Sequence, residues 1–262
     1  MLYQLSYSRV GRQICLDTGG ESRSSGRARL APVTDLDREI AEGLAELHNR
    51  WDARIAATPA RTDAKPQGDG APNRHGMPVG PPGQNVFEQA EWPVLDIGQT
   101  PKIAPEKWRL TIDGAVTRPQ TFSWEQFQAL PQVDDHQDFH CVTGWSILDM
   151  QFRGVRFETL AALARLAPGA THVMCHAADG YSTNLPLEEA LKPDVLLVHT
   201  LAGQPLAIDH GGPVRMVVPE LWAWKGAKWI NRLEFLTRDV RGYWEIRGYS
   251  NTAHPWRDDR LW

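Results

Sequence analysis

Residues 140–146 read His140-Cys141-Val142-Thr143-Gly144-Trp145-Ser146, and the meaning given to this stretch decides the rest. A lone cysteine usually behaves as a small buried hydrophobe. Cys141 instead follows an acidic, histidine-bearing run (Asp134, Asp135, His136, Asp138) and precedes a Thr-Gly turn. A thiol at a strand end beside a turn is placed to meet a ligand, and its thiolate is a soft donor suited to a soft or transition metal. For the residue taken alone, structural burial and ligation both stay open.

Around this stretch, strand and helix signals mix without a strict βαβ rhythm. Trp108, Leu110 and Ile112 alternate with Arg109 and Thr111, which predicts a half-buried strand ending at Asp113-Gly114. Ser123 with Gln126 opens a short helix that stops at Leu130-Pro131, and Phe157, Leu160, Leu163 and Leu166 mark another. Further strands are expected at 172–176, 194–199, 213–219 and around Leu233–Thr237. Short helices among many strands predict an α+β domain with a mixed sheet.

Upstream, residues 1–32 are polar and rich in Ser, Gly and Arg, and read as disordered. Leu36, Ile40, Leu44, Leu47, Trp51 and Ile55 then recur at three- and four-residue steps, an amphipathic helix with Thr34 and Asp37 as a capping box. Between Pro66 and Gly83, ten of eighteen residues are Pro or Gly, which reads as a linker or extended arm. The expected division is an extension over 1–80 and a folded domain over 81–262.

A net charge of -4 disfavours a general nucleic-acid or membrane-surface binder. No apolar run approaches the ~18 residues that span a bilayer, so no transmembrane segment is expected. The amino terminus lacks a signal-type apolar core and a paired-arginine export motif. Three cysteines (Cys15, Cys141, Cys175) without CxxC spacing argue against a disulfide framework. A cytoplasmic setting is expected, with the periplasm as the alternative. Of 11 tryptophans, six fall between Trp222 and Trp262, and core or subunit-interface packing is the ordinary reading.

Two other segments bear on chemistry. In His210-Gly211-Gly212-Pro213-Val214-Arg215 the glycines allow close backbone approach, and Arg215 stands among Val214, Met216, Val217 and Val218. A buried arginine needs a partner: an anion such as phosphate, or an internal carboxylate. In Trp224-Lys225-Gly226-Ala227-Lys228-Trp229 two lysines around a Gly-Ala step form either an anion nest or a solvated turn. The pairs His136/His140 and His172/His176 have four-residue spacing but lack the glutamate of HExxH, which leaves zinc a minor alternative.

These segments, with Asp179-Gly180-Tyr181-Ser182-Thr183-Asn184-Leu185-Pro186, resemble in order the sulfite-oxidase-like molybdopterin oxidoreductases from about Pro81 to Trp256. The chain looks most similar to the short bacterial single-domain members, and more distantly to the catalytic subunit of periplasmic methionine-sulfoxide reductase. The resemblance implies a mixed-sheet molybdopterin-binding fold carrying an N-terminal helical and disordered extension. It implies molybdenum-molybdopterin as cofactor, with Cys141 as the protein thiolate on the metal. Arg215, Gly226, Ala227 and Lys228 would hold the pterin phosphate. His140, Thr143, Ala177 and His210 would be further cofactor contacts, with Leu95-Asp96 matching another position more loosely. Tyr181, His140 or Arg153 would line the substrate pocket, with Tyr181 carried as the catalytic partner of Cys141.

The implied reaction is two-electron oxygen-atom transfer on a small oxyanion or sulfoxide. His210 stands where the methionine-sulfoxide reductases carry asparagine. No haem domain precedes the match, and no immunoglobulin-like domain follows, so an external electron donor or acceptor protein is expected. The alternatives are a catalytically silent cofactor-binding module and a cysteine hydrolase using Cys141 as nucleophile.

Overall fold

A computed structural model of the chain describes residues 34–57 and 65–261. The stretch read as disordered, 1–32, lies outside the described residues, as does 58–64.

The first element is α1 (Asp35–Ala57). Its expected capping box forms: Thr34 N donates to Asp37 Oδ2 at 2.9 Å and Asp37 N to Thr34 Oγ1 at 3.1 Å. In chain order there follow β1 (Asp69–Pro72), β2 (Pro78–Gly80) and β3 (Asn85–Val86), then β4 (Arg109–Gly114), β5 (Gln120–Ser123) and α2 (Trp124–Gln128). A long hairpin comes next, β6 (Val133–Cys141) and β7 (Trp145–Arg156), leading into α3 (Phe157–Ala164). The remainder comprises β8 (His172–Ala177), β9 (Ser182–Pro186), α4 (Leu187–Ala190), β10 (Leu196–Leu201), β11 (Gln204–Pro205), β12 (Arg215–Val217) and β13 (Ile230–Leu236).

These elements make an α+β fold with two mixed sheets. In one sheet β10 pairs antiparallel with β7, β11 and β12, β6 pairs with β7, and β3 joins β7 in parallel. The other runs β5-β4-β13-β8-β9, parallel only between β4 and β13. Two cores result. The larger gathers Leu110, Ile112, Phe157, Val173, Leu233 and Phe235; the smaller lies around Trp92, Phe139, Cys141, Phe152 and Val198. The composition of residues 66–83 reads as a linker, yet β1 and β2 pair as a hairpin there. The Trp256 indole donates to Pro78 O at 2.6 Å and ties that hairpin to the domain.

Helix α1 contributes to the larger core through Ile40, Leu47 and Trp51. It crosses α3 very closely: a Cβ on Gly43 would lie 2.5 Å from Ala162 O and 2.9 Å from Ala162 Cβ. Glycine inside a helix costs about 0.5–1 kcal/mol relative to alanine, so this position is explained by the approach rather than by helix formation. Gly43→Val is expected to destabilise the fold by roughly 1–3 kcal/mol, the usual cost of overpacking. A denaturation midpoint equal to that of the parent protein would show that α1 is not seated in this way.

Candidate active site

The β6–β7 hairpin presents Cys141. Side chains alternate along β6, so Phe139 and Cys141 face one side and His140 the other. The turn closes with Gly144 N donating to Cys141 O at 3.1 Å, and Gly144 takes φ +97°, which favours glycine. Cys141 Sγ lies 3.1 Å from Thr143 Oγ1. Burial pushes the thiol pKa up, against the hydrogen bonds from Thr143 and the charges of Arg215 and Arg260. Arg260 donates to the carbonyls of Val142 and Pro82 and so pins this turn from the far end of the described chain.

Cys141 borders a cavity of about 290 Å³, at the low end for ligand pockets. Thr143, Tyr181, His210, Arg215, Gly226 and Lys228 border the same cavity. Three segments distant in sequence therefore converge there.

Arg215 is only 3 % exposed. Its guanidinium donates to His210 O at 3.0 Å and Gly226 O at 3.2 Å, and sits 4.9 Å from the Phe139 ring centre and 5.3 Å from that of Trp92. Among the described residues no carboxylate is within ion-pairing distance, which removes the internal salt bridge as the explanation of this residue. Burial lowers its pKa to about 9, with the Cys141 and Tyr181 groups opposing. A buried cation bonded only to carbonyls keeps its charge available for an anion.

Lys228 supplies a second cation. Its Nζ donates to Asp209 O at 2.8 Å and lies 4.2 Å from the Trp229 ring centre. Burial and then the neighbouring Arg215 lower its pKa to about 8. Gly211, at φ +108°, lets both side chains leave the backbone beside it: a Cβ there would meet Arg215 Cβ at 2.9 Å and Lys228 Cβ at 3.0 Å. The His210 ring stacks on Trp92, with centroids 3.9 Å apart and planes 4° off parallel. Burial, then Arg215 and Lys228, hold its pKa down to about 4, so the imidazole is neutral at pH 7.

Several expected site residues are placed elsewhere. His140 is buried on the opposite face of β6, with Nδ1 2.8 Å from Ser146 Oγ. Its Nε2 and Gln137 Oε1 have no hydrogen-bond partner, and both residues border a separate void of about 10 Å³, near the size of one water. Ala177 and Ala227 are buried and do not border the cavity. Ala227 acts through its backbone, accepting from Met216 N at 2.9 Å. Lys225 is neither nest nor solvated turn: it is fully buried, 2.7 Å from Glu245 Oε1 and bonded to Asn184. Arg153 reaches outward to Asp134 and is half-exposed, not a pocket residue.

Tyr181 borders the cavity, but its hydroxyl donates to Trp224 O at 2.5 Å, and burial followed by the Glu245 charge raises its pKa well above normal. It can orient the 223–225 turn more readily than it can release a proton.

The histidine pairs do not converge either. His136 lies 2.8 Å from Asp149 and His176 2.9 Å from Glu234. Among the described residues the group spaced to hold a metal ion is His75, Asp194 and Glu220, whose carboxylates already face Arg74 and Lys192. Among the described residues no histidine hydrogen-bonds the Cys141 thiol, whose partner is Thr143, and this weighs against a cysteine-hydrolase dyad. Leu95 and Asp96, the looser match, border the cavity; Trp92, Trp145, Trp224 and Tyr249 border it too, and sequence reasoning passed over these four for this role. The tryptophan count was the available signal, and it was assigned to packing.

The donor set fits a molybdopterin cofactor. A thiol and two cations share one cavity, and among the described residues neither cation is ion-paired.

Residues 97–244 match the family model described as the oxidoreductase molybdopterin binding domain. An uncharacterized oxidoreductase, YuiH, of Bacillus subtilis is 40% identical over 182 residues, covering 69% of this chain and 91% of the relative. A putative protein-methionine-sulfoxide reductase subunit, YedZ1, of Azospira oryzae is 32% identical over 143 residues (55% and 54%). The protein-methionine-sulfoxide reductase catalytic subunit MsrP of Ralstonia nicotianae is 27% identical over 183 residues (61% and 54%). The chain thus spans about half the length of these two relatives. Among solved structures, the sulfane dehydrogenase SoxCD from Paracoccus pantotrophus superposes with a TM-score of 0.50 at 23% identity, over 54% of this chain and 41% of that one. This likeness shows the fold.

Proposed function

Because the chain belongs to the oxidoreductase molybdopterin-binding family, as a sulfite-oxidase-like molybdopterin oxidoreductase, we propose that it holds molybdenum-molybdopterin in the cavity beside Cys141. Its reaction in this reading is two-electron oxygen-atom transfer between water and a small oxyanion or sulfoxide. The observation that carries the reading is Arg215, a buried cation without a carboxylate, opening on the same cavity as a buried thiol.

Cys141 would give the metal its protein thiolate, and Arg215 with Lys228 would hold the pterin phosphate. Thr143 orients the Cys141 sulfur, and Arg260 fixes the turn on which both stand. His210, neutral and stacked on Trp92, offers a hydrogen bond without adding charge. When bound, the metal supplies the redox chemistry, while these residues supply position and electrostatics.

An external electron donor or acceptor protein completes the cycle, because each turnover moves two electrons. The described residues contain no helix long and apolar enough to cross a membrane. Cys141 and Cys175 are free thiols, which supports a reducing, cytoplasmic setting within this proposal. Every residue that borders the cavity falls between Trp92 and Tyr249, which supports 81–262 as the part that holds the cofactor, with α1 packed on it from outside that span.

Metal and pterin analysis of protein from a cofactor-competent host tests the reading; about one molybdenum and one pterin per chain are expected, and protein persistently free of both would overturn it. A pH series adds a second check. Lys228 in the cofactor-free cavity loses its proton above about pH 8, and a bound phosphate favours the charged form. Affinity for the cofactor should therefore be full below pH 8 and fall as pH rises through it. Uptake by cofactor-free protein that is flat from pH 7 to 9.5 would contradict this role for Lys228.

A further inference from the structure

We propose that Glu245 is a positioning residue for the phosphate seat: through Lys225 and Trp224 it fixes the 223–228 turn to β9, so that Gly226 meets Arg215 at the cavity. The role rests on the function proposed above. It falls to a residue just beyond the span 97–244 that matches the family model.

Glu245 opens a short 3-10 helix (Glu245–Arg247) and is completely buried. A buried carboxylate needs partners, and here three donors gather on one oxygen. Lys225 Nζ lies 2.7 Å from Oε1, Thr183 Oγ1 donates to it at 2.9 Å and the Trp224 indole at 3.2 Å. Oε2 takes no donor among the described residues, so the restraint is concentrated on a single atom.

Thr183 belongs to β9, and the backbone ties Glu245 to the same strand, with Tyr243 N donating to Ser182 O at 2.8 Å. Gly242 permits that approach, since a Cβ there would lie 2.5 Å from Ser182 O and 2.8 Å from Glu245 Oε2. Lys225 reaches β9 by a second route, donating to Asn184 O at 2.9 Å and Asn184 Oδ1 at 3.0 Å. β9 is therefore the frame, and Glu245 with Asn184 clamps the turn to it.

The clamped turn joins the two sheets. β9 lies at the edge of one, and β12, which carries Arg215, lies in the other. Gly226 O accepts from Arg215 Nη2 at 3.2 Å, and Ala227 O accepts from Met216 N at 2.9 Å. Trp224 borders the cavity, whereas Glu245 and Lys225 do not, so both act through others. A buried ion pair stabilises a fold no more than an apolar pair of the same volume, and often less. Its hydrogen bonds add direction, which fixes where the indole and the ammonium point.

Replacing the pair by apolar residues separates stability from position. Lys225→Met combined with Glu245→Leu removes both charges and keeps the volume, so the unfolding midpoint should match or exceed that of the parent. The Trp224 indole N–H then has no acceptor. Its resonance in 15N-labelled protein, assigned by its loss in Trp224→Phe, should shift and exchange with solvent at least about tenfold faster. Inorganic phosphate titrated into cofactor-free protein should bind at least about tenfold more weakly, the lower end of the usual cost of losing a site's outer support. Lys225→Met combined with Glu245→Gln keeps an oxygen for Trp224 and Thr183. It should recover the indole resonance and bind phosphate more tightly than the leucine variant.

A leucine variant that does not fold, or that folds and binds phosphate as the parent does, would overturn the role. Equal phosphate binding by the glutamine and leucine variants would overturn it as well. The titration needs no cofactor: a parent that binds phosphate and never carries pterin or molybdenum would overturn the metal reading alone, while a parent that binds neither phosphate nor pterin would overturn the seat and this role with it.

Discussion

Cys141→Ser is expected to lower turnover by at least about 100-fold, beyond the usual cost of disturbing a metal site's outer partners. Serine is nearly the same shape, and at this buried position, 7 % exposed, its hydroxyl can keep the hydrogen bonds that the thiol makes with Thr143. The fold should therefore survive, with an unfolding midpoint close to that of the parent. What changes is the donor: an alkoxide is harder and far more basic than a thiolate, so the metal loses its soft protein ligand. Pterin should remain bound, because its phosphate seat at Arg215 and Lys228 is untouched. The pair of readouts separates ligation from folding. Full turnover in the serine variant would remove Cys141 from the metal site; loss of both pterin and fold would reassign it to packing.

Arg215→Ala is expected to cost the holoprotein its cofactor. Removing one partner of a buried charged pair costs about 3–5 kcal/mol, which is roughly a 140- to 4,000-fold weaker hold on the pterin. Cofactor-free protein should respond in the opposite sense. There the guanidinium is buried without a counter-charge, and its pKa of about 9 against an ordinary 12.5 records that burden. The unfolded chain binds more protons than the folded one between those values, so the penalty is full at pH 7 and lifts only in alkali. Arg215→Met, which fills the volume without the charge, should leave the cofactor-free protein as stable as the parent or more so. Undiminished pterin content in either variant after purification would disprove the seat. A large drop in cofactor-free stability for Arg215→Met would show that the carbonyl bonds to His210 and Gly226, not an anion, account for the residue.

The sequence carried more of the fold than of the site. The stripe from Leu36 to Trp51, the Ser123–Gln126 capping box and the alternation around Leu110 depend on period and local hydrogen bonding, and each element is found where those signals put it. The hairpin at residues 69–80 was hidden by its own composition, because proline and glycine mark turns and linkers alike, and an anchor 178 residues away, the Trp256 indole, lies outside any local reading. Arg215 was legible as a buried cation in want of a partner; whether that partner was a carboxylate was not. Lys225 and Lys228 read alike in sequence, three residues apart. One is sealed against Glu245 inside the core, while the other borders the cavity.

His140 shows the same limit at a single strand. It adjoins Cys141 in the chain, yet the two-residue period of β6 turns it away from the cavity and toward Ser146. Local pattern alone was enough to establish an α+β chain with a ligand-ready cysteine, because hydrophobic period and turn chemistry are written in neighbouring residues. Which cations share a seat and which tryptophans wall the pocket depended on residues from Trp92 to Tyr249 meeting in space. Charge and burial are properties of that meeting, since a side chain's energy is set by what surrounds it and not by what precedes it.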